Sequence, residues 1–285
     1  MKYLLVLLCC LLAIGKVTIQ SAFSKKHIRT FPDAVFFMAL VFTFSGIFFS
    51  SDVIGCSPVT WIYGALFGLC SMVFQLSYTK ALSMGNVSVT VMISNLGMLF
   101  SVILSATVFH EPLSPLRLLG ILMTVATLVI SVDFKRGNKA EKSWLFFALT
   151  TLFATGLANC IQKFFSATEA AGEAKAFVAC AYLVAAVATF LWYFSLHLGH
   201  KRKTYETKPR VFLYALGVGV LLAVFQLAFQ YSITQVDGTF LFPAYSGGCI
   251  ILSSLTGVLL FRDKLTRKQI ISLATGCIAV VLMNF

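Results

Sequence analysis

The sequence predicts an all-α integral membrane protein of about ten transmembrane helices, organised as two inverted five-helix repeats. Three observations predict it: the composition, the spacing of the apolar runs and an internal repeat. Of the 285 residues, 59% are hydrophobic and 11% are charged, and mean hydropathy is +0.92. Soluble domains carry about a quarter charged residues. A bilayer core of about 30 Å needs roughly 20 apolar residues per helix, so a chain of this length is filled by its spans and holds no separate soluble domain.

The apolar segments run over 3–23, 33–51, 58–83, 87–110, 114–133, 143–165, 174–198, 210–234, 238–261 and 266–284. Between them stand polar separators: SKKHIRTFPD, SSDVIGCSP, SMGN, HEPLSPLR, DFKRGNKAEKS, ATEAAGEAK, HKRKTYETKPR, QVDG and FRDKLTRKQ. Charges, Gly and Pro gather there, as loop chemistry requires. Phe is the dominant aromatic with 28 residues, and no alternation of period two appears. That pattern excludes a membrane barrel in favour of helices.

The first segment, MKYLLVLLCCLLAIG, also has the basic start and apolar run of a secretory signal peptide. The repeat argues for its retention as the first helix. Shifted by 142, Ile19, Gln20, Phe23 and Ser24 fall on Ile161, Gln162, Phe165 and Ser166. At a shift of 151, Tyr63, Gly68, Val73, Phe74, Gln75, Leu76 and Gly97 fall on Tyr214, Gly219, Val224, Phe225, Gln226, Leu227 and Gly248. At 152, Ser101, Phe109, Glu111 and Leu113 fall on Ser253, Phe261, Asp263 and Leu265. The matches are colinear, with the identical VFQL quartet at their centre. They divide one membrane domain into residues 1–134 and 143–285. Five helices per half is an odd number, so the second half starts on the opposite face of the membrane. Inverted repeats of this kind place substrate sites near the midplane, between halves that open alternately to each side.

The two half-ends, SVILSATVFHEPLSPLRLLGILMTVATLVIS and SSLTGVLLFRDKLTRKQIISLATGCIAVVLMN, resemble the EamA-like ten-helix family of the drug/metabolite transporter superfamily. The shared element is a turn of the form F-x-E-x-L-[ST], read here as Phe109, Glu111, Leu113 and Ser114, then as Phe261, Asp263, Leu265 and Thr266. The second acid is Asp rather than Glu. The resemblance implies export or exchange of small metabolites, amino acids, sugar phosphates or drugs. It also implies cytoplasmic termini, which the charges contradict. The loops after helices 1, 3, 5, 7 and 9 hold 17 of the 22 Lys and Arg residues. By the positive-inside rule the odd-numbered loops are cytoplasmic and both termini lie outside.

Every one of the ten carboxylates lies in a loop or at a predicted helix end. Proton-coupled export of organic cations is most simply done with a buried carboxylate, so its absence disfavours that chemistry. It also removes a two-carboxylate hydrolase, and no HExxH, GxSxG or P-loop pattern supports another enzyme. The eight cysteines read as small apolar packing residues and the four histidines as loop residues, so neither a metal nor any other cofactor is expected.

Polar residues within the spans are the candidates for substrate contact. Lys16 lies inside the first segment, where an ionised side chain is costly unless it has a role or snorkels to an interface. Lys80 and Lys163 stand nearer helix ends and read as snorkelling. Gln20 matches Gln162 across the repeat, Gln75 matches Gln226, and Thr79 matches Gln230, which stands four residues after Gln226 on the same helix face. Each amide alone reads equally well as interhelical hydrogen-bond glue. Together the symmetric set points to a polar cavity, with Asn95, Asn159 and Tyr245 as further lining.

The expected function is secondary transport of a small polar metabolite, anionic or zwitterionic, by alternating access and without ATP. Export of lipophilic cations and a non-transporting membrane scaffold are the competing readings. The expected partners are a small-molecule substrate, the lipid bilayer and a coupling ion of unspecified identity, with no nucleic acid. Short loops without sorting signals fit a bacterial inner membrane.

Overall fold

The computed structural model describes residues 2–85, 87–111, 114–131, 139–198, 209–261 and 267–282. Among them the secondary structure is helical, with no strand: α1 (Lys2–His27), α2 (Phe31–Phe48), α3 (Pro58–Met84), α4 (Val87–Asn95), α5 (Met98–Thr107), α6 (Pro115–Ser131), α7 (Lys139–Ser166), α8 (Ala174–Leu198), α9 (Pro209–Gln235), α10 (Gly238–Phe261) and α11 (Arg267–Leu282). Two short 3-10 turns, Ser50–Val53 and Glu169–Gly172, precede α3 and α8. Leu113, Asp263, Leu265 and Thr266 of the turn motifs lie outside the described residues, as do the basic loops 132–138 and 199–208.

Eight helical segments are long and apolar enough to cross a bilayer, α4 and α5 counting together as one of them. α6 and α11, of 17 and 16 residues, are shorter and pack against each other. Large apolar side chains point outward along the bundle: Leu4, Leu7 and Leu11 on α1, Phe146, Phe153 and Leu157 on α7, Leu213 and Leu216 on α9. Such a surface would aggregate in water and is the ordinary solvent face in lipid.

Local chemistry starts the helices where the sequence changes. Asp33 reaches back from the first turn of α2 to accept the Thr30 amide at 2.7 Å and the Arg29 amide at 3.1 Å, and Thr30 completes the capping box. Ser57 caps α3 by accepting the Thr60 amide at 3.3 Å, with Pro58 in the first helical position, where its missing N–H costs nothing.

The apolar run 87–110, expected as one helix, is broken between Asn95 and Met98. At the joint the amide of Gly97 bonds the Ser94 carbonyl, and that of Phe100 bonds the Gly97 carbonyl, three residues back. The tighter turn brings Gly97 onto α7, where a β-carbon would stand 2.7 Å from the Gly156 amide nitrogen.

Helices matched by the sequence repeat pack reciprocally. α1 packs on α3, α9 and α10, while α7 packs on α9, α3 and the α4–α5 segment. α8 packs on α3 as α9 packs on α2, and α2–α8, α6–α11 and α4–α10 meet as matched pairs. Two repeat-matched glycines also make close crossings. A β-carbon on Gly68 of α3 would lie 2.2 Å from the Ala181 carbonyl oxygen of α8, and one on Gly219 of α9 2.9 Å from the Val41 carbonyl oxygen of α2.

Candidate functional site

A cavity of about 80 Å³ lies in the middle of the bundle, walled by α1, α3, α4, α7, α8, α9 and α10. Helical spacing selects the residues. Phe67, Ser71, Phe74 and Gln75 present one face of α3, Thr155, Ala158, Asn159 and Gln162 one face of α7, and Leu222, Phe225, Gln226 and Phe229 one face of α9. Lys16 enters from α1, Ser94 and Asn95 from α4, Tyr182 from α8, and Tyr245 and Ser246 from α10.

Of the residues singled out in the sequence, Lys16, Gln75, Asn95, Asn159, Gln162, Gln226 and Tyr245 line this one space. Gln20, Thr79 and Gln230 are fully buried behind them; Gln20 bonds the lining amide of Gln75, while Thr79 and Gln230 bond the backbone carbonyls of Gln75 and Gln162. In the first half Gln20 Nε2 donates to Thr79 Oγ1 at 2.7 Å and to Gln75 Oε1 at 3.5 Å. In the second half Gln226 Nε2 donates to Gln162 Oε1 at 2.9 Å, Gln230 Nε2 to the Gln162 carbonyl at 3.5 Å, and Tyr182 Oη to Gln226 Oε1 at 3.3 Å. Repeat-matched residues thus meet in two separate networks, with different donors and acceptors in each. Amides bonded to one another hold the polar atoms of a cavity wall in place.

The wall itself pairs by the sequence shifts. At 151, Ser71, Phe74, Gln75, Ser94 and Asn95 correspond to Leu222, Phe225, Gln226, Tyr245 and Ser246, and both members of every pair line the cavity. At 142, Lys16 corresponds to Ala158, again with both in the wall. Within these pairs Lys16 is the one charged member. Its side chain is 4% exposed, and Nζ stands 5.8 Å from the centroids of Phe74 and Tyr78 and 6.0 Å from that of Phe225. Among the described residues it has no hydrogen-bond or ion-pair partner, and no carboxylate lines the cavity.

Apart from Tyr245, sequence reasoning missed the aromatic lining of the site. Phe74 and Phe225 stand in the VFQL quartet beside the glutamines, so the quartet carried the signal. Tyr182 had none, being one tyrosine in an apolar helix. It also missed the partner of Lys163, which is 7% exposed and forms an ion pair with Glu111 instead of snorkelling. Glu111 Oε2 accepts the Thr239 amide at 3.0 Å, and Lys163 Nζ lies 5.3 Å from the Phe109 ring. The acidic turn thereby joins the end of α7 to the start of α10, where an acceptor meets unpaired backbone donors.

Outside the spans, Glu173 accepts hydrogen bonds from the Thr60 hydroxyl and from the Ser57 amide and hydroxyl. These, the Thr60 bond foremost, hold its carboxyl below the usual carboxylate range. No group of three His, Cys, Asp or Glu side chains among the described residues is placed to hold a metal. The described cysteines, Cys9, Cys10, Cys56, Cys70, Cys160, Cys180 and Cys249, are all free thiols.

Residues 2–133 match the model of the EamA-like transporter family, consistent with the drug/metabolite transporter superfamily that the turns resemble. A solved crystal structure, described only as that of a protein, matches with a TM-score of 0.71 at 17% identity, over 98% of this chain and 94% of that one. At such identity the likeness shows the fold alone. No curated protein sequence matches. The family match over residues 2–133 and the eight apolar spans support an integral, multi-pass membrane protein.

Proposed function

We propose that the protein is a secondary transporter that moves a small polar metabolite through the central cavity by alternating access. The observation that carries this reading is a central cavity in which Ser71, Phe74, Gln75, Ser94 and Asn95 face their repeat-matched residues, with hydrogen-bonded amides in its wall. In the proposed architecture residues 1–134 and 143–285 are two inverted halves of five spans. α4 and α5 make one span, and α6 and α11 complete the ten at the short end of the spanning length. The reciprocal helix contacts support a pseudo-two-fold axis through the cavity. Rocking about that axis would open the cavity to each face in turn.

The charge bias of the loops sets the odd-numbered loops in the cytoplasm, and a bacterial inner membrane is the proposed host. Export of lipophilic cations would require a cavity that attracts positive charge, and this one holds a lysine with no lining carboxylate. A purely structural scaffold has no use for an enclosed polar space.

Flux decides. A pooled metabolite extract offered to proteoliposomes should lose at least one component to the lumen only when the protein is present. Retention of every component outside, with folded protein oriented both ways in the vesicles, would end the transport reading.

A further inference from the structure

We infer that the ligand of this cavity carries a single negative charge: a small carboxylate with an uncharged polar body, its carboxylate paired with Lys16. The inference rests on the cavity being the transport site, and it concerns charge balance there. An ammonium removed from water loses its solvation, to be offset by an opposite charge and hydrogen bonds. Lys16 has neither among the described residues. Three ring faces stand near it and attract it by cation–π interaction. Rings hold the ammonium in position but leave its charge uncancelled.

No described acid lines the cavity, and three of them are engaged elsewhere. Asp33 caps α2, Glu111 is bound by Lys163 and the start of α10, and Glu173 is held by Ser57 and Thr60. The missing negative charge is therefore the ligand's. Two further donors support this from separate helices: Asn95 Nδ2 on α4 and Gln162 Nε2 on α7 are buried without an acceptor, and both residues line the cavity. Unpaired buried donors are costly, and an incoming acceptor satisfies them.

The same balance rejects other charge types. A cation meets Lys16 directly. A dianion leaves one negative charge uncompensated in an enclosed space, and the ammonium of a zwitterion finds no lining carboxylate. A monoanion brings the cavity to neutrality. At about 80 Å³ the cavity admits a molecule of few atoms in the state observed. The amides of Gln75, Asn159 and Gln226 suit the hydroxyl, amide or carbonyl groups of its body.

The test offers proteoliposomes a metabolite extract supplemented with L-lactate, lactamide, L-alanine, succinate and ethanolamine, and reads uptake by mass spectrometry. The expected result is protein-dependent uptake confined to monocarboxylates, of which lactate is the defined probe, with the amide, zwitterion, dianion and cation excluded. Lys16→Gln should lower monocarboxylate uptake about 10- to 100-fold, the range of a lost charged hydrogen bond. Lys80→Gln, at the far end of α3 with Nζ on the Arg29 carbonyl, should leave it unchanged. Uptake of neutral, cationic, zwitterionic or doubly charged species in preference to monoanions would overturn the inference and leave the transporter standing. So would undiminished monoanion uptake by a folded Lys16→Gln protein. No protein-dependent uptake of any component would instead remove the transport reading, and this inference with it. Should Lys16→Gln fail to fold, the charge series on the unaltered protein decides alone.

Discussion

Lys16 and Lys163 both sit on helices that cross the bundle, and the protein treats their charges in opposite ways. Lys163 has a carboxylate from the α5–α6 turn, and that carboxylate also receives the Thr239 amide of α10. The pair is largely buried, so removing one partner strands the other in a poorly solvated site. Glu111→Gln or Lys163→Met alone should lower stability by about 3–5 kcal/mol. The double variant should lose less than the sum of the two, because its second change strands no charge. Denaturation in detergent with all four proteins checks this. Additive losses would mean that the two residues act independently. Nothing in the sequence near Lys163 announces the contact, since its partner stands 52 positions away. A charge near a helix end reads as snorkelling until the turn that folds over it is known.

At the scale of elements, stability rests on a few close crossings and tied helix starts. Gly68 leaves no room for a β-carbon against the backbone of α8, whereas Gly219 against α2 is less tight. Gly68→Ala should therefore reduce folded yield and thermal stability more than Gly219→Ala, despite their equivalence in the repeat. Equal losses would show that the crossings relax freely. Glu173 ties the start of α8 to the start of α3. Its folded-state pKa lies below the ordinary value, so the stability it adds is present above the unfolded pKa and is lost as pH falls through the folded one. Glu173→Gln should thus be less stable than the parent at neutral pH, and the two thermal midpoints should converge on acidification. A gap that persists at low pH would assign the loss to packing. The helices and their approximate limits were legible in the sequence because apolar length and loop punctuation are local properties. The break at Gly97 was not. It comes from contact with Gly156 on α7, which no local pattern encodes.

On the scale of the whole molecule, the repeat is what made part of the site readable. Gln75 and Gln226 could be selected because identical quartets surround them, and the structure brings both into one wall. The division of the amides into a lining row and a supporting row was not readable, since Gln20 and Gln75 look alike in a linear pattern. The same repeat suggests a stricter test of the proposed pseudo-two-fold axis. Lys16 corresponds to Ala158, and its rings Phe74, Tyr78 and Phe225 correspond to Phe225, Phe229 and Phe74, all three of which line the cavity. A lysine placed at 158 would meet an aromatic surround of the same kind, approached from the other half. In a Lys16→Ala background, Ala158→Lys should therefore recover a measurable part of the lost uptake and keep the preference for monoanions. Lysine at a lining position without this relation, as in Lys16→Ala with Ser71→Lys, should recover less. If both double variants recover equally, any cation in the cavity suffices and the symmetry has no functional weight. If Ala158→Lys folds and recovers nothing, the two halves are related in sequence but do not present equivalent surfaces to the ligand.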